Sequence, residues 1–129
     1  MVTRLTNGLL TSKRRSSLGY HLRTLGSDGA DYVERLKRLG VDVRHVSVVD
    51  DHYTAQAMIM TDKDNNQITA FHPGAMAQAH LNPIRAAGAG HIGIIAPDGR
   101  EAMLRHAEQF HAAGIPFVFD PGQGLPMFD

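Results

Sequence analysis

Residues 53–76, YTAQAMIMTDKDNNQITAFHPGAM, decide how the rest of the chain is read. Two short runs, Ala55–Met60 and Gln67–Phe71, have the length and side chains of strands. The linker between them, Asp62-Lys63-Asp64-Asn65-Asn66, is polar. Its Asp and Asn side chains suit a turn, because they bond their own backbone and tolerate left-handed angles. The stretch therefore predicts a β-hairpin at about residues 54–71, with a loop longer than two residues.

Upstream, Gly26-Ser27-Asp28-Gly29 reads as a turn with no clear strand before it. Ser27 or Asp28 is placed to cap the next helix. That helix carries Tyr32, Val33, Leu36 and Leu39 as an apolar stripe and stops at Gly40. Alternation around Val43, Val46 and Val48 predicts a strand between Val41 and Val49. Downstream, His72-Pro73-Gly74 breaks the chain and Ala75–Leu81 suits a short helix. Pro83, Gly88 and Gly90 bound a loose connection. His91–Ile95 and Pro116–Phe119 are apolar runs expected to be buried strands. Between them lies a helix whose buried face is Met103, Leu104, Ala107 and Phe110, with Asp98 and Glu101 at capping-box spacing. Strand–helix–strand with tight links implies parallel strands. Ligands of open α/β sheets bind beyond the carboxyl ends of the strands, which here means Ala96-Pro97-Asp98 and Asp120–Gln123.

The 129 residues suffice for one domain. The absence of cysteine excludes disulfide scaffolds and thiolate metal sites and fits the cytoplasm. No apolar run is long enough to span a membrane. The formal charge is zero, but its distribution is uneven. Residues 1–27 hold five of the 13 basic side chains (Arg4, Lys13, Arg14, Arg15, Arg23) and none of the 13 acidic ones. Residues 1–24 thus form an atypical basic segment, expected to be poorly ordered. Nucleic-acid binding through it is disfavoured, because Lys13-Arg14-Arg15 is short and lacks interleaved aromatics.

Most chemical motifs fail on inspection. Asp62-x-Asp64-x-Asn66 begins like a calcium loop, but the sixth and twelfth positions are Gln67 and Pro73 instead of Gly and Glu. The eight histidines include no His-Glu-x-x-His pattern, and His106 and His111 do not align on a helix. No phosphate-cradling glycine loop ends in lysine, and no serine lies in a nucleophile elbow. Two residues stay open. Asp120 follows a buried strand, where it either meets a ligand or caps the Pro-Gly turn. Phe71 either stacks on a planar ligand or joins the core.

Taken in order, several segments resemble the PfkB family of sugar and nucleoside kinases. Gly26-Ser27-Asp28-Gly29 with Leu39-Gly40-Val41 is similar to the family's Gly-x-Asp-x-x-Gly region and the Gly-Val that follows it, with Asp31 in place of the last glycine. The hairpin resembles the family's lid, and Phe119-Asp120-Pro121 a segment that follows a core strand. Residues 67–76 with Asp120–Gln123 are closest to the bacterial adenosine-kinase-like branch. The resemblance covers about residues 25–129 and implies a partial ribokinase-like α/β fold: parallel βαβ core pieces plus a β-hairpin lid.

It also implies residue roles. Phe71 matches an aromatic that stacks on the nucleoside base, and Gln123 a glutamine of the acceptor pocket. Ala57 stands where the branch has a second aromatic, Gly124 where it has a second glutamine, and Asp120 at the same strand end. The implied ligand is a small-molecule sugar or nucleoside, with homodimerisation through the lid. The intact family uses ATP and Mg2+. The family's Gly-Gly-x-x-x-Asn segment is not supplied by residues 1–24. Its Gly-Ala-Gly-Asp segment, which carries the anion hole and the aspartate base, is not in this chain. The expectation is therefore a truncated kinase that neither binds ATP–Mg2+ nor turns over alone. The rivals are a non-catalytic nucleoside-binding or interaction module and a basic nucleic-acid arm.

Overall fold

A computed structural model describes residues 22–84 and 92–128. Most of the basic segment, together with Gly88, Gly90 and His91, lies outside them. Among the described residues six strands pair in three two-stranded sheets. Strand β1 (Arg23–Gly26) pairs in parallel with β2 (Val46–Val49), with helix α1 (Ala30–Arg38) between them in sequence. The hairpin is β3 (Gln56–Thr61) with β4 (Gln67–His72), antiparallel. Strand β5 (Gly93–Ile95) pairs in parallel with β6 (Phe117–Phe119) around helix α2 (Arg100–Ala112). A 3-10 helix spans Gly74–Leu81 and another Gly122–Met127.

The hairpin turn forms as its side chains dictate. Asp62 Oδ1 accepts the amides of Asp64 and Asn66, Asp62 Oδ2 accepts Asn66 Nδ2, and Asn65 takes a left-handed φ of 63°. These bonds favour the ionised carboxylate, the Asn66 side chain most of all, and hold the Asp62 pKa below its usual value. Both helices end alike. Val41 N donates to Leu36 O and Gly40 N to Lys37 O; Ile115 N donates to Phe110 O and Gly114 N to His111 O. This is the paired closure that a left-handed glycine permits after a last helical turn.

The core is small: Leu25, Leu36, Ala57, Ala75, Ala79, Ile95, Ala102, Met103 and Ile115. Phe110 packs across Gly93 and stacks on Phe117, with ring centroids 5.6 Å apart. One buried amide joins the two parallel units. Asn82 Nδ2 donates to Arg23 O (3.1 Å) and His45 O (3.0 Å), while His106 Nε2 of α2 donates to Asn82 O at 3.0 Å.

Several local expectations need correction. A strand does precede Gly26, since Arg23–Gly26 pairs with β2. The valine-rich strand is only Val46–Val49, because Asp42 takes the backbone N–H and guanidinium of Arg44 and forms a local turn. Neither Ser27 nor Asp28 caps α1, whose N-cap is Gly29. Asp98 does not close a capping box, since Gly99 is the N-cap of α2. On α2 His106 is buried and Leu104 is exposed. The helix phase is as expected, but a hydrogen-bonded imidazole occupies the inner position.

The hairpin is rooted where backbones come unusually close. A Cβ added to Gly74, where φ is +50°, would stand 2.2 Å from Tyr53 O. A Cβ added to Gly40, with φ +74°, meets nothing within 4 Å. Gly74→Ala therefore combines left-handed strain with overpacking and should cost about 2–5 kcal/mol, whereas Gly40→Ala should cost only about 1–2 kcal/mol. Thermal unfolding of both variants checks this order.

Candidate functional site

The hairpin stands at the carboxyl end of β1. Gly26 lies there against the backbone of His52–Thr54, so closely that an added Cβ would sit 2.3 Å from His52 O. Gly26 N donates to Thr54 Oγ1 (3.0 Å), and Ser27 N donates to His52 O (2.9 Å). Thr54 donates twice to one oxygen, Asp28 Oδ1: from its amide at 2.8 Å and from its hydroxyl at 2.7 Å. Just after the return strand, in the 3-10 helix that begins at Gly74, Ala75 N donates to Tyr53 O at 2.8 Å. Sequence reasoning missed this latch. Its signal is an Asp in a turn directly before a helix that the Asp does not cap.

Strand alternation then sorts the hairpin side chains. Ala57, Ile59 and Thr61 share one face with Phe71, Thr69 and Gln67, while Met58 and Met60 share the other with Ala70 and Ile68. Two sequence-predicted site residues meet here, since Ala57 and Phe71 are direct cross-strand partners. Ala57 is buried and Phe71 is 55% exposed, so the ring is not part of the core.

The other two predicted residues lie at the end of β6. Asp120 N donates to Ile95 O at 2.8 Å, and Asp120 Oδ1 accepts Gly122 N at 3.0 Å. Asp120 thus caps the Pro-Gly turn through one oxygen and is exposed. Gln123 is exposed on the 3-10 helix that follows. Gly122 lies against Pro97, where an added Cβ would come 2.5 Å from Pro97 Cγ. The loops after β5 and β6 therefore touch, as the parallel pairing of the two strands brings their ends together. Arg100 Nε, donating to Met127 O at 2.8 Å, ties the same 3-10 helix to α2. The hairpin side approaches these loops through Met76, whose carbonyl lies 3.8 Å from where a Cβ on Gly99 would be.

Asp98, in the loop after β5, has a perturbed carboxyl. Burial pushes its carboxyl above the usual range, against the Gly99 amide it accepts and the charges of His106 and Arg23. Burial likewise lowers the pKa of Arg23, partly offset by Tyr32 and Asp98. Among the described residues no group of three or more His, Asp or Glu side chains is arranged to hold a metal ion. Asp98 and Asp120 are each already committed to a local amide.

Parallel strand pairs, each with a helix between its strands in sequence, and a β-hairpin rooted at the carboxyl end of β1 define the class: a mixed α/β protein with an appended hairpin. Residues 23–124 match the pattern of the pfkB family carbohydrate kinases. The chain belongs to that family, and its fold is part of the ribokinase-like α/β fold. The nucleoside kinase of Burkholderia thailandensis, solved in complex with inosine, superposes with a TM-score of 0.77 at 51% identity, over 85% of this chain and 37% of that one. A second structure of that enzyme is a complex with ADP-inosine; it has a TM-score of 0.73 at 51% identity and covers 85% of this chain and 35% of that one. The nucleoside kinase of Methanocaldococcus jannaschii gives a TM-score of 0.73 at 33% identity, over 84% of this chain and 36% of that one. A nucleoside kinase of Methanothermobacter thermautotrophicus is 34% identical over 106 residues, 78% of this chain and 33% of its own length. The chain thus spans about a third of the length of the relatives it matches. No helix among the described residues is long and apolar enough to cross a membrane.

The raised pKa of Asp98 has a signed consequence. The folded chain binds this proton more tightly than the unfolded chain, whose carboxyl titrates near 3.8. Stability from this group is therefore highest below that value and falls as pH rises through the folded pKa. Asp98→Asn keeps an acceptor for Gly99 N and removes the buried charge. It should unfold at a higher temperature than the parent at pH 7, with the difference shrinking as pH falls toward 4; melting curves across pH check this.

Proposed function

We propose that this chain forms the acceptor side of a nucleoside kinase, holding a nucleoside between the hairpin and the carboxyl ends of the parallel strands. The observation that carries this reading is Phe71. Its ring is 55% exposed on the hairpin face that pairs it with the buried Ala57, where a planar base can lie against it. Gln123 and the outer oxygen of Asp120 supply polar contacts from the strand-end side. The inosine held by the Burkholderia relative supports a nucleoside over a free sugar. The family reaction in this reading moves the γ-phosphoryl group of ATP, with Mg2+, to a nucleoside hydroxyl. The ADP-inosine complex of that relative supports ATP as donor.

Phosphoryl transfer depends on positioned cations and on groups that stabilise the transferring phosphate. The described residues carry an acceptor surface without that set. The chain alone should therefore bind nucleoside without turnover. Calorimetry with inosine and adenosine, paired with a phosphate-transfer assay using ATP–Mg2+, tests both parts. Phe71→Ala should weaken inosine binding by roughly 1–3 kcal/mol, the usual loss when one aromatic–base stack is removed. Undiminished affinity in that variant would remove Phe71 from the site, and measurable transfer would overturn the claim of inactivity.

The opposite hairpin face is the one we propose pairs with a second copy. Met58, Met60 and Ile68 lie 46%, 62% and 69% exposed on it, a contiguous apolar surface of the kind that marks an interface. Ile68→Lys should shift the chain toward monomer in sedimentation experiments and leave inosine affinity unchanged, because residue 68 faces away from Phe71.

A further inference from the structure

The hairpin that carries Phe71 is hardly held by the core. Of the strand residues in β3 and β4 only Ala57 is buried, and every residue of β4 is exposed. Side-chain packing therefore does not fix its tilt over the strand ends, and the root must do so. The root is compact. Thr54 lies two residues before β3 begins, Gly74 lies two residues after β4 ends, and Phe71 lies three before Gly74. A small rotation at Thr54 and Gly74 thus carries the Phe71 ring with it.

We infer that Asp28 and Thr54 are positioning residues that set where Phe71 meets a bound nucleoside, by latching the hairpin root to the end of β1. The nucleoside part of this inference rests on the function proposed above; the latch itself does not. Four contacts define it. Thr54 N and Thr54 Oγ1 both donate to Asp28 Oδ1, Gly26 N donates to Thr54 Oγ1, and Ser27 Oγ donates to His52 O at 3.3 Å. The Thr54 hydroxyl thus accepts from the strand and donates to the turn before α1, the bond a methyl group cannot make. Both bonds from Thr54 end on one oxygen, Asp28 Oδ1, which a carboxamide oxygen at that position can replace as acceptor.

The test compares substitutions that break the latch with ones that keep it. Thr54→Val and Asp28→Ala remove it; Thr54→Ser keeps the hydroxyl and Asp28→Asn keeps the acceptor oxygen. Hydrogen exchange is followed at hairpin amides and at α2 amides, and inosine affinity is measured by calorimetry. Breaking variants should speed hairpin exchange by about tenfold with α2 unchanged, and should weaken inosine by about tenfold; keeping variants should stay within about threefold of the parent. Equal loss of protection in hairpin and α2 would reduce the pair to a general structural role and overturn the inference. So would unchanged hairpin exchange in Asp28→Ala, or loss of affinity in Asp28→Asn as large as in Asp28→Ala. If the parent chain binds neither inosine nor adenosine, the acceptor reading fails by itself, and the exchange comparison alone decides the latch.

Discussion

The structure depends on how closely the backbone at Tyr53–Thr54 approaches the end of β1. Gly26 and Gly74 flank that segment, and neither position has room for a Cβ. The close approach lets main-chain groups bond across it, Ser27 N to His52 O and Ala75 N to Tyr53 O. It also brings the Thr54 hydroxyl between Gly26 N and Asp28. Buried or half-buried polar groups must find partners, and here each partner lies on a different segment. The hairpin is thereby joined to the parallel pair without contributing more than one buried side chain to the core. A hairpin sunk into the core could not leave both of its faces accessible, as this one does along β4.

Asn82 solves a similar problem between the two parallel units. Among the described residues β1–β2 and β5–β6 are separate sheets, with no ladder of backbone bonds between them. The Asn82 carboxamide donates to the Arg23 and His45 carbonyls, and the backbone carbonyl of the same residue accepts a hydrogen bond from the buried His106 imidazole. The polar centre is costly unless every member is satisfied, and specific when it is. Raised Asp98 and lowered Arg23 lie around the same junction, which is what desolvation does to charges of either sign. The perturbed groups therefore report how tightly the two units close on each other, and their shifts need no catalytic role to explain them.

Periodicity and turn chemistry made much of this legible. The hairpin, its Asp–Asn turn, the glycine stops at residues 40 and 114 and the β5–α2–β6 unit all follow from local side-chain rules, and they formed close to where those rules put them. Most of the misses share one cause. Arg23–Gly26 is too short to show alternation and becomes a strand only because Val46–Val49 lies beside it. Asp28 and Asp98 satisfy the local pattern for caps, yet Thr54 claims the first from 26 residues away and burial claims the second. His106 looks polar in sequence, and only Asn82 gives it a reason to be inside. Partners distant in sequence cannot be read from spacing.

The Ala57–Phe71 pair shows how a small departure shapes a site. Cross-strand partners on one face stand close enough that two aromatics there would pack on each other or grip a ligand between them. In this chain residue 57 is 7% exposed, so a large ring at that position would be driven into packed neighbours. Alanine leaves Phe71 as a single platform. A base resting on one ring gains stacking on one face only, and its other contacts must come from the strand-end side, where Gln123 and the outer oxygen of Asp120 are exposed. Affinity then depends on the height and tilt of that one ring above the strand ends. In the proposed reading those two quantities are set at the root by Thr54, Asp28 and the pair of glycines, so that the residues that recognise a ligand and the residues that aim them are different ones.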